Sequence, residues 1–187
     1  QARQQMQTLE VQYFDQLRAN PRVDKVRQYL QDFPSSARLS EVKKVVDSRM
    51  ELQAELLPTL ETAYVEALRQ NPSVALVQQY LTDFPQSQHL EEVQQAVDAH
   101  PALRQQVQSY LEDAYIKKVQ ENPTADQVRD YLQNISTPTQ LPKLNQLLET
   151  MPQLKRQVQP EIKQAEERRE RLLPEVLENR RNRSIGG

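Results

Sequence analysis

The chain has 187 residues, of which 37% are hydrophobic and 27% charged, with a formal net charge of −2. That near-neutral balance gives no general attraction to nucleic acid or to an anionic membrane. The absence of cysteine excludes disulfides and thiolate metal sites. Gly186 and Gly187 are the only glycines. Hairpins and phosphate-cradling loops lean on glycine, so a chain rich in Gln, Leu, Glu, Arg and Ala is predicted to be all-α. No run of about 18 apolar residues predicts a membrane span. No leader segment can be read, and the composition leaves the compartment unknown.

A gapless period runs through the sequence. Asn20-Pro21 returns as Asn71-Pro72 and Asn122-Pro123, a step of 51 residues. Tyr29-Leu30, Tyr80-Leu81 and Tyr131-Leu132 keep the same step, as do Tyr13, Tyr64 and Tyr115. Gln1 already stands in register with Leu52, so the sequence is expected to be a piece of a larger protein. A fixed period of this length predicts units that bury their apolar faces against neighbours.

Each unit reads as one long and two short helices. The first long helix ends at Asn20-Pro21, where Asn is expected to cap the next helix and Pro to take its first position. The short second helix stops at Phe33-Pro34, because a residue before proline is pushed out of the α region. At Asp47-Ser48-Arg49-Met50-Glu51 the third helix either kinks or runs straight into the next long one. Pro58 falls inside that long helix, where the register has Ser109 and then Pro160 in later copies. In the second copy Val74, Val77, Tyr80, Leu81 and Phe84 mark the short helix. Ser87 is expected to cap a third helix carrying Leu90, Val93, Ala96 and Val97. His100-Pro101 then precedes a long helix with Leu103, Val107, Leu111, Ala114, Tyr115 and Val119 on one face.

The third copy drifts, with Ile135-Ser136 in place of the Phe-Pro pairs and prolines moved to Pro138 and Pro142. From Gln153 to about Arg181 one last long helix is predicted, with Leu154, Val158, Ile162, Ala165, Leu172, Leu173, Val176 and Leu177 on its inner side. The expected fold is an all-α helical-repeat solenoid of three 51-residue units (about 1–63, 64–114 and 115–165). A C-terminal helix extension and basic tail fill residues 166–187. A string of three-helix bundles is the competing arrangement, disfavoured by the short second and third helices.

The stretch from Tyr64 through Asn71-Pro72, Gln79-Tyr80-Leu81-Thr82-Asp83-Phe84-Pro85-Gln86-Ser87 and Glu91-Glu92-Val93 resembles a tetratricopeptide-type helical hairpin, with its aromatic-Pro-x-Ser turn. Gln28 through Phe33-Pro34-Ser35-Ser36 repeats the pattern. The resemblance covers the two short helices and the end of the preceding long one. It implies a helical-repeat connector or docking arm of the kind found in bacterial multidomain proteins. The period here exceeds the roughly 34 residues usual for that family.

Chemistry is sparse. His89 and His100 are the only histidines, and neither has a partner at metal-ligand spacing. No Ser-His-Asp or paired-carboxylate arrangement stands out, so no catalytic residue, metal or cofactor is assigned. The two tyrosine series are expected to fill the core or the seams between units; the alternative is a ladder of hydroxyls gripping a peptide. Glutamines read as solvated helix faces. Arg168, Arg169 and Arg171 are interleaved with Glu166, Glu167 and Glu170 as a self-neutralised helix surface. Arg180-Arg181-Asn182-Arg183 is too short a basic run for nucleic acid. Beyond Ala165 no following unit covers Leu172, Leu173, Val176 and Leu177, which makes them the candidate partner contacts, including a homodimer contact. The expected function is a non-enzymatic interaction scaffold or spacer within a larger protein. The alternative is a regulatory domain that controls a catalytic domain elsewhere.

Overall fold

In a computed structural model, the backbone of residues 1–185 and the side chains of residues 1–172 are described. The chain is all-helical: among the described residues there are ten helices and no strand. None of these helices is long and apolar enough to cross a membrane. Two compact units are formed, Gln1–Val107 and Gln108–Gly187.

The first unit holds α1 (Ala2–Ala19), α2 (Val23–Asp32), α3 (Leu39–Asp47), α4 (Met50–Gln70), α5 (Val74–Asp83), α6 (Leu90–Asp98) and the start of α7 (Pro101–Glu121). α4 is its centre and packs on α2 and α3 before it and on α5 and α6 after it. Its sequence allows this because apolar residues occupy most of its circumference. Leu52, Leu56, Leu60 and Tyr64 form a stripe at steps of four, and Val65 and Leu68 are buried beside it. The second unit holds the rest of α7, α8 (Ala125–Asn134), α9 (Leu141–Leu148) and α10 (Pro152–Ile185). α10 packs on α8 and α9, burying Leu154, Val158, Ile162 and Ala165 at helical spacing.

Helix ends follow the prolines, but not with the expected capping. Asn20 and Asn71 are the last residues of their turns, at φ −142°, ψ 79° and φ −144°, ψ 73°. The following proline holds each out of the α region, so Asn closes one helix instead of opening the next. The next helices start after Arg22, Ser73 and Thr124, all extended. Ser73 Oγ accepts from the Leu76 amide at 3.2 Å and Thr124 Oγ1 from the Gln127 amide at 3.3 Å. Ser87 does not cap α6, because His89 occupies that position; Ser87 Oγ instead accepts the His89 amide at 3.3 Å and bonds the Tyr80 hydroxyl.

Between α3 and α4 the helix breaks. Ser48 Oγ donates to the Val45 carbonyl at 2.6 Å, and Arg49 is extended at φ −139°, ψ 129°. The helices containing Pro58 and Pro160 run on through those residues. In the drifted third copy Ile135 takes the helix-end position of the phenylalanines and is buried.

Candidate functional site

Two features stand out above the packing: a polar staple that occurs three times, and a groove in the first unit. In each staple a glutamate on the long helix accepts a tyrosine hydroxyl from the next short helix, 19 residues on. Glu10 accepts from Tyr29 at 2.7 Å and also takes the Ser36 hydroxyl. Glu61 accepts from Tyr80 at 2.8 Å and from the Gln88 amide at 2.8 Å. Glu112 is fully buried and meets more donors. Tyr131 Oη and the Thr139 amide donate to it at 2.7 Å, Thr139 Oγ1 at 2.6 Å and the Gln140 amide at 3.3 Å.

Burial of a carboxyl group is costly unless donors surround it. The turn between the two short helices supplies them, so each glutamate ties that turn to the preceding long helix. Burial, with the acidic partner adding to it, pushes the hydroxyls of Tyr29, Tyr80 and Tyr131 well above the usual phenol range. Tyr64 is raised in the same way, by burial and then by Asp83, which accepts its hydroxyl at 2.6 Å.

The groove, about 710 Å³, lies between α3 and the α5–α6 turn, over the first half of α4. Leu57, Pro58, Phe84 and Pro85 supply apolar surface. Lys43 sits at its side, with Nζ 5.6 Å from the Phe84 ring centre and 2.5 Å from Asp47. Asp83 is held by Ser40 at 3.0 Å and by Tyr64. The groove therefore presents prolines and an aromatic ring beside a cation and acceptor oxygens. That mixture combines apolar surface for burial with polar groups at the edge.

Of the residues singled out in the sequence, Leu172 is 37% exposed. Leu173, Val176 and Leu177 lie outside the described side chains. His89 is half-buried, with Nδ1 2.7 Å from Glu92, and also lines the groove; His100 is exposed. Among the described residues no group of three or more His, Cys, Asp or Glu is placed to hold a metal ion. The tyrosine hydroxyls of the second series point at glutamates and so do not form a free ladder.

Glu10, Glu61 and Glu112 escaped the sequence reading. The signal was present, because they recur at the step of 51 beside apolar Leu9, Leu60 and Leu111. An acidic residue kept in register next to a buried stripe is a call for donors elsewhere. No family model, curated protein or solved structure matches the chain.

Proposed function

We propose that the chain is a non-enzymatic α-helical repeat module, a protein-interaction scaffold or spacer of tetratricopeptide-like character. In this reading units 1–63, 64–114 and 115–165 stack as a solenoid and 166–187 extends it. The observation that carries it is the glutamate–tyrosine staple, which recurs at Glu10/Tyr29, Glu61/Tyr80 and Glu112/Tyr131. A connection that ties a helical hairpin to its own long helix, copy after copy, is what a modular array needs to keep each unit's geometry. The mixed apolar and polar groove over α4 gives such a scaffold a surface for a peptide.

The test is an in-register deletion. Removing residues 64–114 joins Ala63 to Tyr115 and restores the sequence register. That variant is expected to stay helical and to unfold cooperatively. Removing a stretch of about 40 residues from the same place breaks the register and is expected to leave a poorly cooperative chain. Equal behaviour of the two deletions sinks the modular reading. Self-association through the exposed Leu172 and its neighbours belongs to the same proposal. Sedimentation of the wild type against Leu172→Glu at high concentration reads it, and a wild type that stays monomeric removes that contact.

A further inference from the structure

Glu61, on the wall of the groove over α4, has Glu112 as its counterpart by register, and the two carboxylates are completed differently. Glu112 is 0% exposed and both its oxygens are taken. Tyr131 and the Thr139 and Gln140 amides donate to Oε1, and Thr139 Oγ1 donates to Oε2. Glu61 is 7% exposed, and Tyr80 and the Gln88 amide both donate to its Oε1. Gln88 stands where Thr139 stands, but its side chain turns to the Gln86 carbonyl at 3.1 Å. Oε2 of Glu61 therefore has no donor among the described residues, and Glu61 lines the groove.

Asp83 repeats the pattern across the groove. Ser40 and Tyr64 both donate to its Oδ2, and its Oδ1 has no donor among the described residues. Asn134, a neutral residue, holds that place in the third copy. Asp47, the third carboxylate here, is answered by Lys43 at 2.5 Å and by Gln53 at 3.2 Å. The donors to Glu61 and Asp83 are all neutral, and no described cation pairs with either. Charge held away from water calls for an opposite charge. The chain's nearby cations are committed elsewhere. Lys43 is held by Asp47 and the Phe84 ring, Arg49 reaches the Pro21 carbonyl, and Arg69 pairs with Glu66 and Glu92. The third copy closes the equivalent place with its own residues, since Gln140 Nε2 donates to the Ser109 carbonyl at 3.4 Å. Their counterparts, His89 and Pro58, leave it open, because His89 turns to Glu92.

We propose that this groove binds an arginine side chain on a peptide segment of a protein partner. The guanidinium is set against Glu61 and Asp83, and its stem and an adjoining apolar residue lie on Leu57, Pro58, Phe84 and Pro85. A guanidinium fits two separate free acceptors because it carries five donors in a planar fork and is weakly hydrated. A bare metal ion does not fit, because among the described residues no group of three or more ligands is placed to hold one. The site rests on the scaffold reading and names the chemistry of its partner. The two fail separately, because the deletions read cooperativity of unfolding and the experiment below reads the groove in the full chain.

The probe is N-acetyl-leucyl-arginine amide, titrated into the full isotope-labelled chain and followed by NMR. Saturable shifts of the Leu57, Asp83 and Gln88 amides are expected at about millimolar concentration. The citrulline analogue, which has the same shape without the charge, is expected to bind at least about tenfold more weakly. Glu61→Gln is expected to weaken the arginine probe to a similar extent, while its remaining oxygen still serves Tyr80 and the Gln88 amide. Gln88→Thr gives Glu61 the hydroxyl that Thr139 gives Glu112, and is expected to raise the unfolding midpoint and to weaken the probe. Absence of shifts at about 10 mM probe overturns the proposal, and so does equal binding of the citrulline analogue. Agmatine binding as tightly as the dipeptide assigns the groove to a small amine and overturns the peptide partner. Groove amides that move in an Arg180→Gln, Arg181→Gln, Arg183→Gln chain with no probe added assign the site to the chain's own basic run, which also overturns it.

Discussion

α1 and α4 are the same helix by register and different helices by environment. α4 is enclosed by short helices on both sides, and its stripe from Leu52 to Tyr64 is buried along its whole length. α1 packs on α2 and buries only Phe14 and Leu17. The staples grade in the same direction: Glu10 is half-exposed and meets two hydroxyls, while Glu112 is fully buried and meets four donors. The lesson is that a repeat fixes which residues can be buried, while the neighbour fixes which are. Equal sequence positions therefore carry unequal stability.

The sharpest test of the comparison is the leucine pair. Leu60→Ala is expected to destabilise the fold by about 2–5 kcal/mol, because it leaves a cavity in a fully buried site. Leu9→Ala, at the same register position, is expected to cost less than about 0.5 kcal/mol. Equal denaturation midpoints for the two variants break the comparison.

The glutamates come next. Glu112→Ala leaves the Tyr131 hydroxyl and both Thr139 donors without their acceptor and is expected to cost about 2–4 kcal/mol. Glu10→Ala removes a carboxylate that is itself nearer water and leaves Tyr29 and Ser36 bonded to each other, so it is expected to cost about 1 kcal/mol. Urea unfolding of the pair measures the gradient.

Alkaline pH probes the tyrosines. Tyr29, Tyr64, Tyr80 and Tyr131 all titrate above their unfolded value of 10.0 in the folded chain. Below pH 10 both states keep the phenolic proton, and stability does not depend on these groups. Above it the unfolded chain releases protons that the folded chain retains. Stability is therefore expected to fall by about 1.4 kcal/mol per pH unit for each tyrosine. Denaturant midpoints at rising pH measure the slope, and Tyr80→Phe is expected to make it shallower by one tyrosine's share. An unchanged slope for Tyr80→Phe contradicts the burial assigned to that hydroxyl.

The smallest effect concerns helix starts. Ser73→Ala removes a cap bond and is expected to cost about 1 kcal/mol. Arg22 caps α2 with no side-chain bond, so Arg22→Ala is expected to change stability by less than about 0.5 kcal/mol. Thermal melts of the two variants compare the starts of the two short helices directly.

Much of this was legible in the residues. The scarcity of glycine, the Asn-Pro and Phe-Pro pairs and the apolar steps of three and four predict an all-helical chain with breaks near the right places. Those signals are local, because a helix is set by contacts within one or two turns. The choice of cap was misread at Asn20 and Asn71, where the rule for a residue before proline outweighs the capping preference of asparagine. The residues at the Ser48-Arg49 junction are compatible with a kink or a continuous helix, and in the folded chain Arg49 is extended there while Ser48 Oγ bonds the Val45 carbonyl.

By itself the sequence determined the helical class, the register of 51 and the set of residues able to form a core. Tertiary structure decided which members of that set are covered, and that Glu10, Glu61 and Glu112 find tyrosines and turn donors 19 to 28 residues away. The reason is physical. Helix periodicity depends on near neighbours along the chain, whereas burial and the satisfaction of a buried carboxyl depend on groups that only folding brings together.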